Sequence, residues 1–123
     1  MASEQTVQPE TGAMNLTRED ITLLVREPSA AMRSRIAQKI TASYNTGLLS
    51  ESEVALANEI FRLLLRDTEI KIRKLIAEEL KFSLNVPHDI IWALANDHVE
   101  VATPILQHSY VLTEEDLINI VKS

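Results

Sequence analysis

A six-residue phrase that spells the start of a helix is written into this chain three times. Leu16-Thr17-Arg18-Glu19-Asp20-Ile21 recurs as Leu49-Ser50-Glu51-Ser52-Glu53-Val54 and as Leu112-Thr113-Glu114-Glu115-Asp116-Leu117. In each copy the hydroxyl can cap the orphan N–H groups of a first turn. The acid three residues later can close a capping box, and the flanking apolar pair can form a hydrophobic staple. A degenerate fourth copy begins at Val86-Pro87-His88-Asp89-Ile90, where proline supplies the φ of a first helical turn. Recurrence at roughly 25 to 40 residues predicts stacked helical units, because one such unit cannot bury its apolar face alone.

Composition points the same way. The 123 residues are 46% hydrophobic but only 4% aromatic, with two glycines, which suits packed helices better than sheets with many turns. There is no cysteine, so disulfides and thiolate metal sites are excluded. No apolar run approaches the roughly 18 residues needed to span a bilayer. Residues 1–14 lack the basic and apolar segments of a signal peptide, so a cytoplasmic protein is the expectation. The net charge of −6 is unevenly placed. Over residues 18–82 acids and bases nearly cancel, whereas beyond residue 82 Asp89, Asp97, Glu100, Glu114, Glu115 and Asp116 face only Lys122. An acidic total disfavours general binding to nucleic acid, whose affinity depends on cancelling phosphate charge.

Residues 1–14 read as a polar tail. Residues 15–123 read as a helical-repeat domain with units at about 15–47, 48–85 and 86–110 and the start of a fourth at 111–123. The first helix is expected at 18–25. Pro28 opens a second, at 29–43, with Met32, Ile36, Ala37 and Ile40 inward. Asn45-Thr46-Gly47 then ends the unit. Ser50 caps a helix to about residue 66 whose stripe is Val54, Ala57, Ile60, Phe61, Leu64 and Leu65. After a corner at Asp67-Thr68, a helix to about residue 82 turns Ile72, Leu75, Ile76 and Leu80 inward. The third unit should run from Pro87 to Ala95 with Ile90, Ala93 and Leu94 inward, turn at Asn96-Asp97, and continue over residues 99–108. Pro104 either kinks that last helix or marks its beginning.

The units also align beyond their first turns. Leu24-Val25-Arg26-Glu27 matches Leu64-Leu65-Arg66-Asp67, Met32-Arg33 matches Ile72-Arg73, and Ile36-Ala37 matches Ile76-Ala77. The second unit is longer by about two helical turns, so its apolar face stays in phase. Residues 112–121 restart the first unit's pattern, with Ile120 and Val121 at the places of Leu24 and Val25. Either the chain is the opening part of a longer array or this lone helix caps the stack. Exposure of Leu117, Ile120 and Val121 would favour the former, and burial the latter.

An antiparallel helix pair with an acidic corner, followed by an apolar residue and arginine inside the second helix, resembles a HEAT-type repeat. The residues that carry the likeness are Asp67, Ile72 and Arg73 and, less completely, Glu27, Met32 and Arg33. The third unit departs from it, with Ala102 or Thr103 at the arginine position. With Leu94-Ala95-Asn96-Asp97, then Val101 and Pro104-Ile105-Leu106, then Val111-Leu112-Thr113 and Asp116-Leu117, residues 64–117 also resemble a bacterial family of helical-repeat proteins of unknown function, usually longer than this chain. The resemblance implies an all-α, right-handed stack of antiparallel helix pairs, a HEAT-like α-solenoid of about three and a half repeats. It implies a bacterial cytoplasmic setting and brings no activity with it.

Arg33 and Arg73 invite either phosphate binding or an internal ladder to the corner acids Glu27, Asp67 and Asp97 of the same or the adjacent unit. A partly buried arginine ordinarily needs a carboxylate, which favours the ladder. His88, His98 and His108 stand ten residues apart, a spacing that cannot align them on one helix, so no metal site is expected. Trp92, the sole tryptophan, lies with Ile91 off its helix's inward stripe, either packed on a neighbouring unit or exposed as an interface anchor. Lys71, Lys74 and Lys81 line one side of the fourth helix, with Arg35 and Lys39 on the second. They form either a solvated face or a docking strip for an acidic partner.

No Gly-rich phosphate loop, cysteine nucleophile or His–carboxylate spacing is present, so neither catalysis nor a cofactor is expected. The expected function is a protein–protein interaction or scaffold module, with Arg35, Lys39, Lys71, Lys74 and Trp92 as partner-binding candidates. The alternatives are a nucleic-acid-binding solenoid, against which the acidic third unit weighs, and a homo-oligomeric structural domain joined through residues 117–121 or Trp92.

Overall fold

The computed structural model describes Arg26 and residues 29–122. They contain six α-helices and no strand: α1 Ala30–Tyr44, α2 Glu51–Leu64, α3 Ile70–Leu80, α4 His88–Ala95, α5 Val99–His108 and α6 Glu114–Lys122. The protein is all-α over these residues. The first copy of the phrase, the helix expected at 18–25, Glu27 and Pro28 lie outside the described residues.

Local chemistry accounts for the boundaries. Ser29 caps α1 by accepting from the Met32 amide at 3.1 Å. Ser50 and Glu53 form the full capping box of α2: the Glu53 amide donates to Ser50 Oγ at 3.2 Å and the Ser50 amide to Glu53 Oε1 at 2.8 Å. Thr113 and Asp116 reproduce that exchange at α6, at 3.0 and 2.9 Å. Between α1 and α2 the chain turns through Gly47 at φ 74°, where a Cβ would meet no atom but would strain the backbone. Pro87 stands just before α4 rather than inside it, since the helix begins at His88. His98 begins α5 by accepting from the Glu100 amide at 3.2 Å, so this helix starts at Val99, well before Pro104, and carries the proline within it.

The most extensive approaches join α1 to α3 and α3 to α5. The pairs α4–α5, α1–α2 and α2–α3 touch less, and α2, α4 and α6 approach one another only sparsely. α3 is thus sandwiched between α1 and α5. It contributes Ile72, Ile76, Ala77 and Leu80 to a core shared with Ile36 and Ile40 of α1, Ile60, Phe61 and Leu64 of α2, and Val101 and Ile105 of α5. Tyr44 meets Phe61 edge-on at 5.1 Å, the favoured geometry for two ring quadrupoles.

Two inward positions read from the sequence differ, and α6 is divided. Met32 is 40% exposed, because it lies in the first turn of α1, beyond the apolar cover. Ala93 faces solvent while Ile91 is fully buried, so the inward face of α4 is Ile90, Ile91, Leu94 and Ala95. The helix is rolled to bury two isoleucines in place of one isoleucine and an alanine, which removes more apolar area from water. In α6, Ile120 packs against the core, but Leu117 and Ile118 are exposed and Val121 is 85% exposed.

Ile76→Ala is expected to lower the free energy of unfolding by about 2–5 kcal/mol, through lost burial and the cavity left behind. Ser50→Ala, which deletes only a cap, is expected to cost about 1 kcal/mol. Urea denaturation followed by circular dichroism measures both.

Candidate functional site

Two arginines span the row of α1, α3 and α5. Arg33, in the first turns of α1, donates from Nε and Nη2 to Asp67 Oδ2 and Oδ1 at 2.5 and 3.1 Å. Arg73, equivalently placed in α3, donates to Asp97 Oδ2 and Oδ1 at 2.7 and 3.0 Å. Its Nη1 also donates to the Asp67 backbone carbonyl. Each arginine therefore reaches the corner acid that follows it by one unit, and the chain Arg33–Asp67–Arg73–Asp97 is continuous. Both forks are bidentate, which a lysine cannot reproduce. The Asp67 side chain is only 4% exposed. It also accepts from the Glu69 amide at 2.9 Å, which shapes the turn into α3. Glu27 lies outside the described residues. At Asp97, burial pushes the carboxyl up, but the Arg73 guanidinium and the His98 amide together hold it below its ordinary value. The partnership raises the Arg73 pKa in turn, first through the Asp97 hydrogen bond.

A second set of links, with no local signal in the sequence, joins α2, α4 and α6. Arg62 of α2 makes a bidentate pair with Asp89 of α4 at 2.8 and 2.9 Å. His88 Nε2 of α4 lies 2.8 Å from Asp116 Oδ2, the capping acid of α6. Only the near-constant offset, 27 residues for one pair and 28 for the other, could have suggested them. The Arg62 hydrogen bond lowers the Asp89 pKa. Asp116 is lowered first by the Thr113 amide and then by His88. Beside Arg62, burial raises the Tyr44 phenol, opposed by a hydrogen bond from Asn58 and by the Arg62 charge.

Among the binding candidates, Arg35 and Lys39 lie exposed on α1, and Lys71 and Lys74 lie exposed on α3. Arg35, Lys71 and Lys74 form no ion pair with another described residue, whereas Lys81 is bound to Glu78 at 3.0 Å. Trp92 is half-buried, its ring stacked on His88 of its own helix at 6.0 Å and 20°. The three histidines have separate engagements: His88 with Asp116 and Trp92, His98 at the start of α5, and His108 edge-on to Phe82 at 5.0 Å. Among the described residues no group of three His, Cys, Asp or Glu could hold a metal, and no helix is long and apolar enough to cross a membrane.

A groove of about 770 Å³ opens between the connection that follows α1 and the one that follows α3. Leu49 and Val54 lie on one side, Phe82 and Leu84 on the other, and Glu78 and Glu79 at the rim. The sequence gives no sign of it, since its two walls are far apart along the chain.

No family model matches the chain, no curated protein matches it, and no solved structure matches it.

Asp97 has a lowered pKa in the folded state, so its contribution to stability is present above the unfolded value of about 3.9. That contribution is lost as pH falls through the lowered folded value. Arg73→Met leaves Asp97 without its guanidinium. This variant is expected to be about 3 kcal/mol less stable at neutral pH, with part of the deficit recovered on acidification as the stranded carboxylate takes up a proton. Chemical denaturation at neutral and acidic pH distinguishes the two slopes.

Proposed function

We propose that this chain is a HEAT-like helical-repeat module, a non-enzymatic scaffold that presents the solvent-exposed side of α1 and α3 to an acidic segment of a partner protein. The helices stack in antiparallel pairs, with α1, α3 and α5 forming the inner row and α2, α4 and α6 the outer one. One observation carries this reading: the Arg33–Asp67–Arg73–Asp97 chain ties three successive helices into a fixed frame, while Lys71, Lys74 and Arg35 are left without a carboxylate among the described residues. A pre-organised frame binds without the entropy cost of ordering itself. The tight inner row and sparse outer one favour a stack concave on the α1–α3–α5 side. The bacterial cytoplasmic setting implied by the resemblance belongs to the same proposal.

Capture of partners from a lysate tests it. Lys71→Glu/Lys74→Glu is expected to lose the acidic partner by at least about tenfold, as removal of charge from a binding centre does. An unchanged set of captured proteins counts against this surface. A second reading, self-association through the exposed Leu117, Ile118 and Val121 of α6, has that apolar face in its favour. A monomeric mass by sedimentation at high concentration rules it out.

A further inference from the structure

The groove between the two connections is left unused by the reading above, and its chemistry is opposite to that of the lysine strip. Its lining is mixed, with polar residues such as Asn45, Ser83 and Asn85 around four apolar side chains: Phe82 and Leu84, 60% and 68% exposed, and the partly buried Leu49 and Val54. The Phe82 wall is held in place, edge-on against His108 at 5.0 Å and beneath the Lys81 ammonium at 5.4 Å. The two backbones that form the groove are tied together by Asn45 Nδ2, which donates to the Glu79 carbonyl at 2.7 Å, and by the Tyr44 hydroxyl, which donates to the Asn85 carbonyl at 3.3 Å. The site is therefore built rather than a gap between loose loops.

Its electrostatics select the occupant. Glu78 and Glu79 stand at the rim, and the one lysine there, Lys81, is already bonded to Glu78. α1 and α3 both end at the groove; α1 has no basic residue in its last turn to offset the partial negative charge of its C-terminus, and at α3 the C-cap Lys81 is shared with Glu78. α2 begins at the groove, but Glu51 and Glu53 in its first turn offset the positive charge of that end. The local field is negative. It repels nucleic acid and anionic lipid and attracts cationic groups.

We propose that this groove docks a short segment of a partner protein in which a large apolar side chain is flanked by lysine or arginine. The apolar side chain enters between Val54 and Leu84, and the cations pair with Glu79 and with the carboxyl end of α3. This surface is distinct from Lys71 and Lys74, so the module offers two oppositely charged faces.

A random dodecapeptide library displayed on phage and selected on the full chain tests the proposal. The comparison is a Leu84→Ser/Glu79→Lys variant, whose two side chains are exposed and whose Glu79 link to Asn45 runs through the backbone, so it should fold as the parent does. The expected result is enrichment of about tenfold or more over that variant, in sequences with Leu, Phe or Trp flanked by Lys or Arg. The same enrichment should persist on Lys71→Glu/Lys74→Glu. Equal recovery on the parent and the groove variant overturns the proposal, as does enrichment of acidic or uncharged sequences. Loss of binding only on the lysine variant also overturns it, while leaving the proposed function intact.

Discussion

The guanidinium forks of Arg33 and Arg73 impose the constraint on which the arrangement of α1, α3 and α5 depends. A planar donor pair that meets both oxygens of one carboxylate fixes distance and direction together, and Asp67 is nearly sealed from water. The apolar faces of α1, α3 and α5 would tolerate some sliding, since Leu, Ile and Ala can interdigitate in more than one register. The forks tolerate much less. A one-turn slip would strand Asp67 or Asp97 without its cation, at a cost that the isoleucine contacts could not offset. Register thus comes from the polar chain, and cohesion comes from the core around Ile72, Ile76 and Leu80.

Helix starts were legible because capping is local. Ser50 and Thr113 each carry their partner within three residues, and the structure places a helix directly after each; Ser29, read as the first residue of a helix opened by Pro28, is itself the cap. The choice of inward face in α4 was not legible. Its eight residues are mostly apolar, so periodicity alone could not decide between Ala93 and Ile91, and the neighbouring helices settled the roll. Long-range polar partners fall in the same category. Arg62 and Asp89 sit on helices with little backbone contact, and nothing near either residue names the other. The groove depends on two connections meeting in space, which a linear reading cannot foresee.

Charge is organised by depth and by end. Acids clustered in first turns, such as Glu51, Glu53, Glu114 and Glu115, offset the positive helix ends and need no ligand to explain them. Of the other carboxylates, Asp67, Asp97 and Asp116 are sheltered and Asp89 is exposed, each with a basic partner. Of the basic residues outside these pairs, Arg35, Lys39, Lys71 and Lys74 lie exposed on α1 and α3, whereas Arg66 follows α2 and Lys122 ends α6.

The Arg62–Asp89 link and the two forks differ in their shelter from water, and that difference has a mechanical consequence. The Arg62 and Asp89 side chains are 48% and 60% exposed, so added salt weakens their attraction far more than it weakens the enclosed forks. With the helices stacked as proposed, high ionic strength would let the outer rim lengthen while the inner rim kept its length. Such a body bends like a leaf spring clamped along one side, and the ions around it set its stiffness.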